Sequence, residues 1–256
     1  GVGELVAVAV ESGATSVVVG LGGGGTTDGG AGMLAALGAD ADPGGTLTAG
    51  PAGLSALEAV DLAPARAGLE GIALVAATDV ENPLLGLRGG TNVFGRQAGL
   101  TQEQLFQVDG ALTRLAHAAD RSVADAKGAG AAGGLGYALL LLGARRVPGL
   151  TLVADAVGLP AMAGASDLVI TGEGAIDPTT VSGKVVTGVA RIAMGAARPC
   201  VALAGRVEVS SRELRAHGIE SAYAVVDLVG ESESLSRPAQ SLARLASRVA
   251  RTWSRP

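Results

Sequence analysis

Short apolar runs that end in glycine or a polar turn alternate with segments of helical spacing along this chain. SVVVGL (Ser16–Leu21) leads into GGGGTTDGG, and IALVAA (Ile72–Ala77) ends at Thr78 and Asp79. VALAG (Val201–Gly205) precedes SSRELRAH, and AYAVVDL (Ala222–Leu228) precedes Ala239–Trp253. Such alternation predicts an α/β fold. Glycine supplies 41 of the 256 residues, more than twice its usual share of about 7%. The glycines cluster at strand ends and show no collagen-like period, so they predict many tight loops.

The helices announce themselves by spacing and caps. Asp28 to Leu37 reads as a helix stopped at Gly38. Thr101 with Gln104 forms a capping box for a helix running to about Ala119, with Leu105, Val108, Leu112 and Leu115 at helical spacing. Leu135 to Leu142 reads as a buried helix. In the last helix Leu242, Leu245 and Val249 form the apolar face, and Arg244, Arg248 and Arg251 the solvated one. The first element is ambiguous: Leu5, Val6, Val8 and Val10 partly alternate as in a strand, whereas Ala7, Ala9 and the stop at Gly13 favour a helix. The pattern changes from glycine-loop units to regular strand–helix units near Pro148 to Asp167, which gives expected domains of 1–160 and 161–256.

Composition excludes several classes. Hydrophobic residues make up 48% of the chain and aromatics only 2%, so the core must be built from Val, Leu, Ile and Ala. The net charge is −5, from 24 acidic and 19 basic residues. That disfavours nucleic acid as a partner, because phosphate neutralisation needs a basic face. One cysteine, Cys200, excludes an intrachain disulfide and a cysteine zinc cluster. His117 and His217 are isolated, which leaves no Ser-His-Asp triad or histidine metal set. No run of roughly 18 apolar residues and no basic leader before an apolar stretch occurs, so a membrane span is not expected and the cytoplasm is. The chain opens at Gly1 inside what reads as a structured element, so a leading segment is expected to be missing.

Four segments, three of them glycine-rich, stand out for their charged or hydroxyl groups. The densest is DLVITGEGAIDPTTVSGK (Asp167–Lys184): a strand over Leu168–Thr171, then a loop with Gly172, Gly174, Gly183, Glu173, Asp177 and Lys184, then a helix over about Val185–Met194. Glycines between a strand and a helix N-terminus let backbone N–H groups approach an anion. Carboxylates there can hold Mg²⁺ or take a proton, and a lysine can meet a phosphate as a compact charge. The chain's basic side chains are otherwise arginine; its lysines are Lys127 and Lys184. The second segment is Gly22-Gly23-Gly24-Gly25-Thr26-Thr27-Asp28-Gly29-Gly30, an anion cradle or a close-packed turn with Asp28 as a helix cap. The third is Thr78–Pro83, where Asp79 ends a strand and can bind metal or orient a hydroxyl, or simply form an Asx turn. The fourth is GAGAAGG (Gly128–Gly134), with Gly130 and Gly133, preceded by Lys127; it lacks the terminal GK-[ST] of a phosphate loop. Three glycine-bearing loops and the strand-end turn Thr78–Pro83, three of the four with carboxylates, suit phosphoryl transfer, which needs positioning and electrostatics more than a nucleophile.

Taken in order, GLGGGGTTDGGAGMLAALGA, ATDVENPLLG, VFGRQAG, GAGAAGGLG and DLVITGEGAIDPTTVSGKVVTGVARIA resemble the motifs of bacterial type I glycerate kinases. The resemblance covers essentially the whole chain. It implies transfer of the ATP γ-phosphate to a hydroxyl of D-glycerate with Mg²⁺, 2-phosphoglycerate being the favoured product. It also implies two α/β lobes flanking a cleft: a flavodoxin-like parallel-sheet lobe, incomplete here, and a distinct middle lobe. Asp28, Asp79, Glu173, Asp177 and Lys184 fall on charged positions of the family motifs. We therefore expect Asp177, Lys184 and Asp79 as catalytic groups, with Asp79 and Asp177 as Mg²⁺ ligands. Substrate or nucleotide contacts are expected from Gly23, Gly24, Gly25, Thr26, Asp28, Gly130, Gly133, Gly172, Glu173 and Gly174. The small-molecule partner is glycerate, and a homodimer stays open.

The chain also departs from the family pattern. Segments like APDSFKGS and ADGGEGT do not occur in it. Arg96 and Ala98 stand where Pro and Lys are expected, and Lys127 where Pro is common. A chain short of its leading strands is expected to be weakly active or inactive alone, and marginally stable, because an incomplete sheet exposes an unpaired edge. The competing reading is a non-catalytic or partner-completed module that holds an anionic metabolite or nucleotide.

Overall fold

The structure, a computed structural model, describes residues 1–178 and 185–254. The chain divides into two compact units, Gly1–Gly149 and Leu150–Pro256. Both are α/β with a three-stranded parallel sheet.

In the first unit the strands are β1 (Ser16–Gly20), β2 (Asp40–Asp42), β3 (Ala59–Asp61), β4 (Ala73–Ala77) and β5 (Arg145–Val147). The helices are α1 (Val2–Glu11), α2 (Ala31–Ala36), α3 (Gly50–Leu54), α4 (Ala63–Ala67), α5 (Gly90–Phe94), α6 (Gln102–Ala118) and α7 (Leu135–Leu141). The sheet order is β1-β4-β5, with Ser16 opposite Ala73, Gly20 opposite Ala77 and Ala77 opposite Val147. The three strands thus finish together, and the loops that follow β1 and β4 start side by side. A separate antiparallel pair joins β2 and β3. Leu34, Leu54, Leu57, Leu84, Leu112, Leu115, Tyr137 and Leu139 are fully buried and belong to one core. With so few aromatic residues, leucine supplies most of its volume.

Local chemistry explains the boundaries. The ambiguous first element is a helix, α1, and the chain turns away from it at Gly13, where φ is +90°. Thr101 Oγ1 accepts from Gln104 N–H and Gln104 Oε1 accepts from Thr101 N–H, the expected capping box. The helix expected from Asp28 starts instead at Ala31, because Gly29 and Gly30 take φ values of +69° and +75°.

The second unit holds α8 (Gly149–Ala156, which begins at the last residue of the first unit), α9 (Leu159–Gly164), β6 (Val169–Ile176), α10 (Val185–Gly195), β7 (Cys200–Val207), α11 (Ser211–Ala216), β8 (Ser221–Ala224), α12 (Val225–Val229), α13 (Glu231–Ser236) and α14 (Pro238–Trp253). The sheet order is β6-β7-β8. Alternation along β7 serves two cores: Cys200, Ala202 and Ala204 pack with Val186, Ala190 and Leu214, while Val201 and Leu203 pack with Val225, Leu245 and Val249. Burial on both faces is why this strand reads as one apolar run.

Three expectations are corrected here. The strand expected to stop at Thr171 continues through Gly172, Glu173 and Gly174 to Ile176. Two glycines serve the pairing of β6 with β7: a Cβ on Gly172 would run into the Leu203 carbonyl oxygen, and one on Gly205 of β7 into the Gly174 carbonyl. The strand expected over Ala222–Leu228 ends at Ala224, and Val225 opens α12. An apolar run of that length does not distinguish strand from helix. Leu242, expected on the buried face of α14, is 44% exposed; Leu245 and Val249 carry that face.

Candidate active site

In the first unit, three glycine loops and the segment after β4 are knitted together by backbone. Gly29 N–H donates to the Gly133 carbonyl, Gly130 N–H to Asn82 O and Gly90 N–H to Pro83 O, each at 3.0 Å. Glycine is demanded at these crossings by close approach. A Cβ on Gly130 would meet the Pro83 carbonyl, one on Gly90 the Gly130 carbonyl, and one on Gly133 the Thr26 carbonyl. Gly133 also adopts φ +66° beside Ala132 at φ +49°, so the 131–134 turn folds back against the loop after β1.

This knot leaves a cavity of about 450 Å³. Its wall includes Gly22, Gly23, Gly24, Thr26, Thr27, Val80, Thr91, Phe94, Gln97 and Gly133. The sequence thus nominated Gly23, Gly24, Thr26 and Gly133 from separate loops, and the fold puts them on one wall. Gly130 sits in the backbone crossing rather than among the lining residues. Thr91, Phe94 and Gln97 were missed. The available signal was a second Gly-Gly-Thr, Gly89-Gly90-Thr91, echoing Gly24-Gly25-Thr26.

The carboxylates take different places. Asp28 accepts from Gly30 N–H at 3.0 Å and from Gly32 N–H at 3.1 Å, so its side chain caps α2. Asp79 is exposed just past the end of β4, with Oδ2 against Gly149. Beside it, Glu81 accepts from Lys127 Nζ at 2.9 Å and lies 3.6 Å from Arg146. The hydrogen bond and charge of Lys127 hold the Glu81 carboxyl below its ordinary value.

In the second unit Glu173 is half-buried within β6, and Asp177 is half-buried immediately past its last residue. Asp79 and Asp177 each follow a parallel strand at its carboxyl end, where open α/β sheets place ligands. Lys184 and Gly183 lie outside the described residues. Among the described residues no group of three or more His, Cys, Asp or Glu could hold a metal ion alone. Mg²⁺ commonly takes only one or two carboxylates together with substrate phosphate oxygens and water. Single carboxylates at strand ends therefore match its needs. No described helix is long and apolar enough to cross a membrane.

The model of the glycerate kinase family matches residues 1–254. A glycerate kinase from Bacillus subtilis (strain 168) is 40% identical over 88% of this chain and 61% of its own length. A glycerate 2-kinase from Escherichia coli (strain K12) is 36% identical over 98% of this chain and 68% of its own length. The crystal structure of a candidate glycerate kinase 2 from Salmonella typhimurium LT2 superposes with a TM-score of 0.75 at 36% identity, covering 100% of this chain and 69% of that one. The chain thus spans about two thirds of the length of these relatives.

Proposed function

Because the chain belongs to the glycerate kinase family, we propose that it transfers the γ-phosphate of ATP to a hydroxyl of D-glycerate, with Mg²⁺, as a cytoplasmic enzyme. The observation that carries this reading is the family match across both compact units, residues 1–254. The 2-hydroxyl is the favoured acceptor, in keeping with the name of the Escherichia coli relative.

The chain's own groups supply the chemistry such a transfer needs. Asp177, at the carboxyl end of β6, accepts the proton of the attacking hydroxyl or binds the metal. Asp79, exposed at the end of β4, supplies a second metal-binding or hydroxyl-orienting carboxylate. Bound Mg²⁺ offsets charge on the transferring phosphoryl group. Lys184 offsets further charge as a compact ammonium.

The test is direct. D-glycerate and MgATP should yield ADP and a phosphoglycerate whose ³¹P–¹H coupling places the phosphate on C2. Turnover of another hydroxy acid with none of glycerate would overturn the reading; phosphate on C3 would correct only the acceptor position.

A further inference from the structure

The cavity of the first unit has a lining that phosphate or glycerate would leave unused. None of its lining residues carries a charge. Val80, Phe94 and Ala98 give it apolar surface, and its polar groups are neutral: the hydroxyls of Thr26, Thr27 and Thr91, the Gln97 amide and glycine backbone. A triphosphate or a small carboxylate draws its strongest contacts from cations. Three cations on the neighbouring loops are engaged elsewhere: Lys127 and Arg146 flank Glu81, and Arg96 donates to Gln102 at 2.6 Å.

Thr91 is the second observation. It is only 2% exposed, and its Oγ1 is the buried side-chain atom left without a hydrogen-bond partner among the described residues. Buried hydroxyls in native structures are almost always paired, so a lone one in a cavity wall marks a place where a bound group completes it. Phe94 stands in the same wall and is 38% exposed, an accessible ring in a chain with only two phenylalanines. Aromatic faces stack on nucleobases, and an amide such as that of Gln97 offers a donor and an acceptor to a base edge. The cavity volume, about 450 Å³, lies within the usual range of roughly 300–1,000 Å³ for small-ligand sites.

We infer that this cavity holds the neutral nucleoside end of the phosphoryl donor, its base and ribose, recognised by Thr91, Phe94 and Gln97. The inference rests on the proposed use of a nucleoside triphosphate. It gives Gly23, where an added Cβ would meet no protein atom within 4 Å, the task of letting a flat ring approach backbone closely. Phosphates and glycerate then depend on other, charged groups.

Adenosine, which carries no phosphate, is the probe. The protein is labelled with 4-fluorophenylalanine, so its ¹⁹F spectrum has two lines, Phe94 and Phe106; Phe106→Leu identifies the Phe94 line. Adenosine should move the Phe94 line saturably and leave the Phe106 line in place. Thr91→Val should weaken adenosine binding about tenfold, the scale of one buried hydrogen bond, and Thr91→Ser, which keeps the hydroxyl, should restore it. Inorganic tripolyphosphate and glycerate should leave the Phe94 line unmoved. A Phe94 line indifferent to millimolar adenosine would overturn the inference, as would one moved by tripolyphosphate or glycerate. Adenosine binding that depends on Thr91 in a protein that does not phosphorylate glycerate would sink the proposed function and leave this inference standing. Glycerate phosphorylation without adenosine binding would do the reverse.

Discussion

Lys127 Nζ donates to Glu81 Oε2 at 2.9 Å, while Arg146 approaches the other carboxylate oxygen at 3.6 Å. One of the chain's two lysines is therefore held by a carboxylate of its own unit. The pair ties the loop after β4 to the start of the Gly128–Gly134 run. Both side chains are exposed, at 68% and 59%, so the pair is screened by water and salt.

The pH consequence has a definite sign. The Glu81 carboxyl lies below its ordinary value of 4.5, chiefly through the Lys127 hydrogen bond. The pair's contribution is therefore present above pH 4.5 and is lost as pH falls through the lower folded value. Lys127→Met should lower the melting temperature slightly at pH 7, and the difference from the unsubstituted protein should vanish as pH falls below the folded value of Glu81. Circular dichroism across an acid titration, at low and high salt, checks it. Identical melting of the two proteins at pH 7 and low salt would show that the pair contributes nothing.

The glycine crossings separate packing from binding. Gly130→Ala places a methyl group against the Pro83 carbonyl, with Gly90 N only 2.7 Å away. Overpacking of this kind costs about 1–3 kcal/mol, so the thermal midpoint should fall clearly. Gly22→Ala, in the cavity wall and with nothing within 4 Å of the added carbon, should melt as the unsubstituted protein does. Equal melting of the two variants would mean that the loops do not cross at Gly130.

These crossings also show what the sequence could not display. The capping box at Thr101 and Gln104 and the apolar run that opens VALAG at Val201 were legible because their determinants are local or lie within the element itself. Gly172 and Gly174 misled because a glycine pair after a strand reads as a loop, whereas here both lie within β6, and the missing side chain of Gly172 admits the backbone of β7. The β2–β3 pair escaped notice because three-residue strands such as Asp40–Asp42 are too short for their alternation to stand out from the surrounding sequence. The candidate cavity was half legible. Gly23, Gly24, Thr26 and Gly133 stood out one loop at a time, but Thr91 acquires meaning only through burial without a partner, a tertiary property.

Tyr137 gives the alkaline counterpart. Its hydroxyl donates to the Asp120 carbonyl at 2.9 Å and accepts from Asp120 N–H at 3.3 Å. Burial pushes its pKa from 10.0 up to about 12. A raised value favours the neutral phenol in the folded state, so its contribution is whole below pH 10 and is lost as pH rises toward 12. Tyr137→Phe should cost about 0.5–1.5 kcal/mol at neutral pH through the lost hydrogen bonds. The difference in stability between the two proteins should shrink between pH 10 and 12. Denaturant melts at several pH values measure that difference directly, and a gap that stays constant to pH 12 would contradict the buried-phenol account.

The last prediction concerns Asp177, half-buried just past the end of β6, and Lys184, seven positions further along the same connection. If Asp177 takes the hydroxyl proton or binds Mg²⁺, Asp177→Asn keeps the side chain's shape while removing its basicity and charge. Groups aimed at developing charge contribute roughly 10²–10³-fold in rate. Asp177→Asn and Lys184→Met should each lower turnover of glycerate by about that factor, with the melting temperature nearly unchanged. Lys184→Arg should be impaired as well, because a planar guanidinium does not replace a compact ammonium at a tight phosphate site. A role confined to holding the connection between β6 and α10 makes the opposite forecast: lower melting temperatures with near-normal turnover. Turnover and thermal midpoint measured on the same three variants separate the two, and the second pattern would remove both residues from the catalytic set.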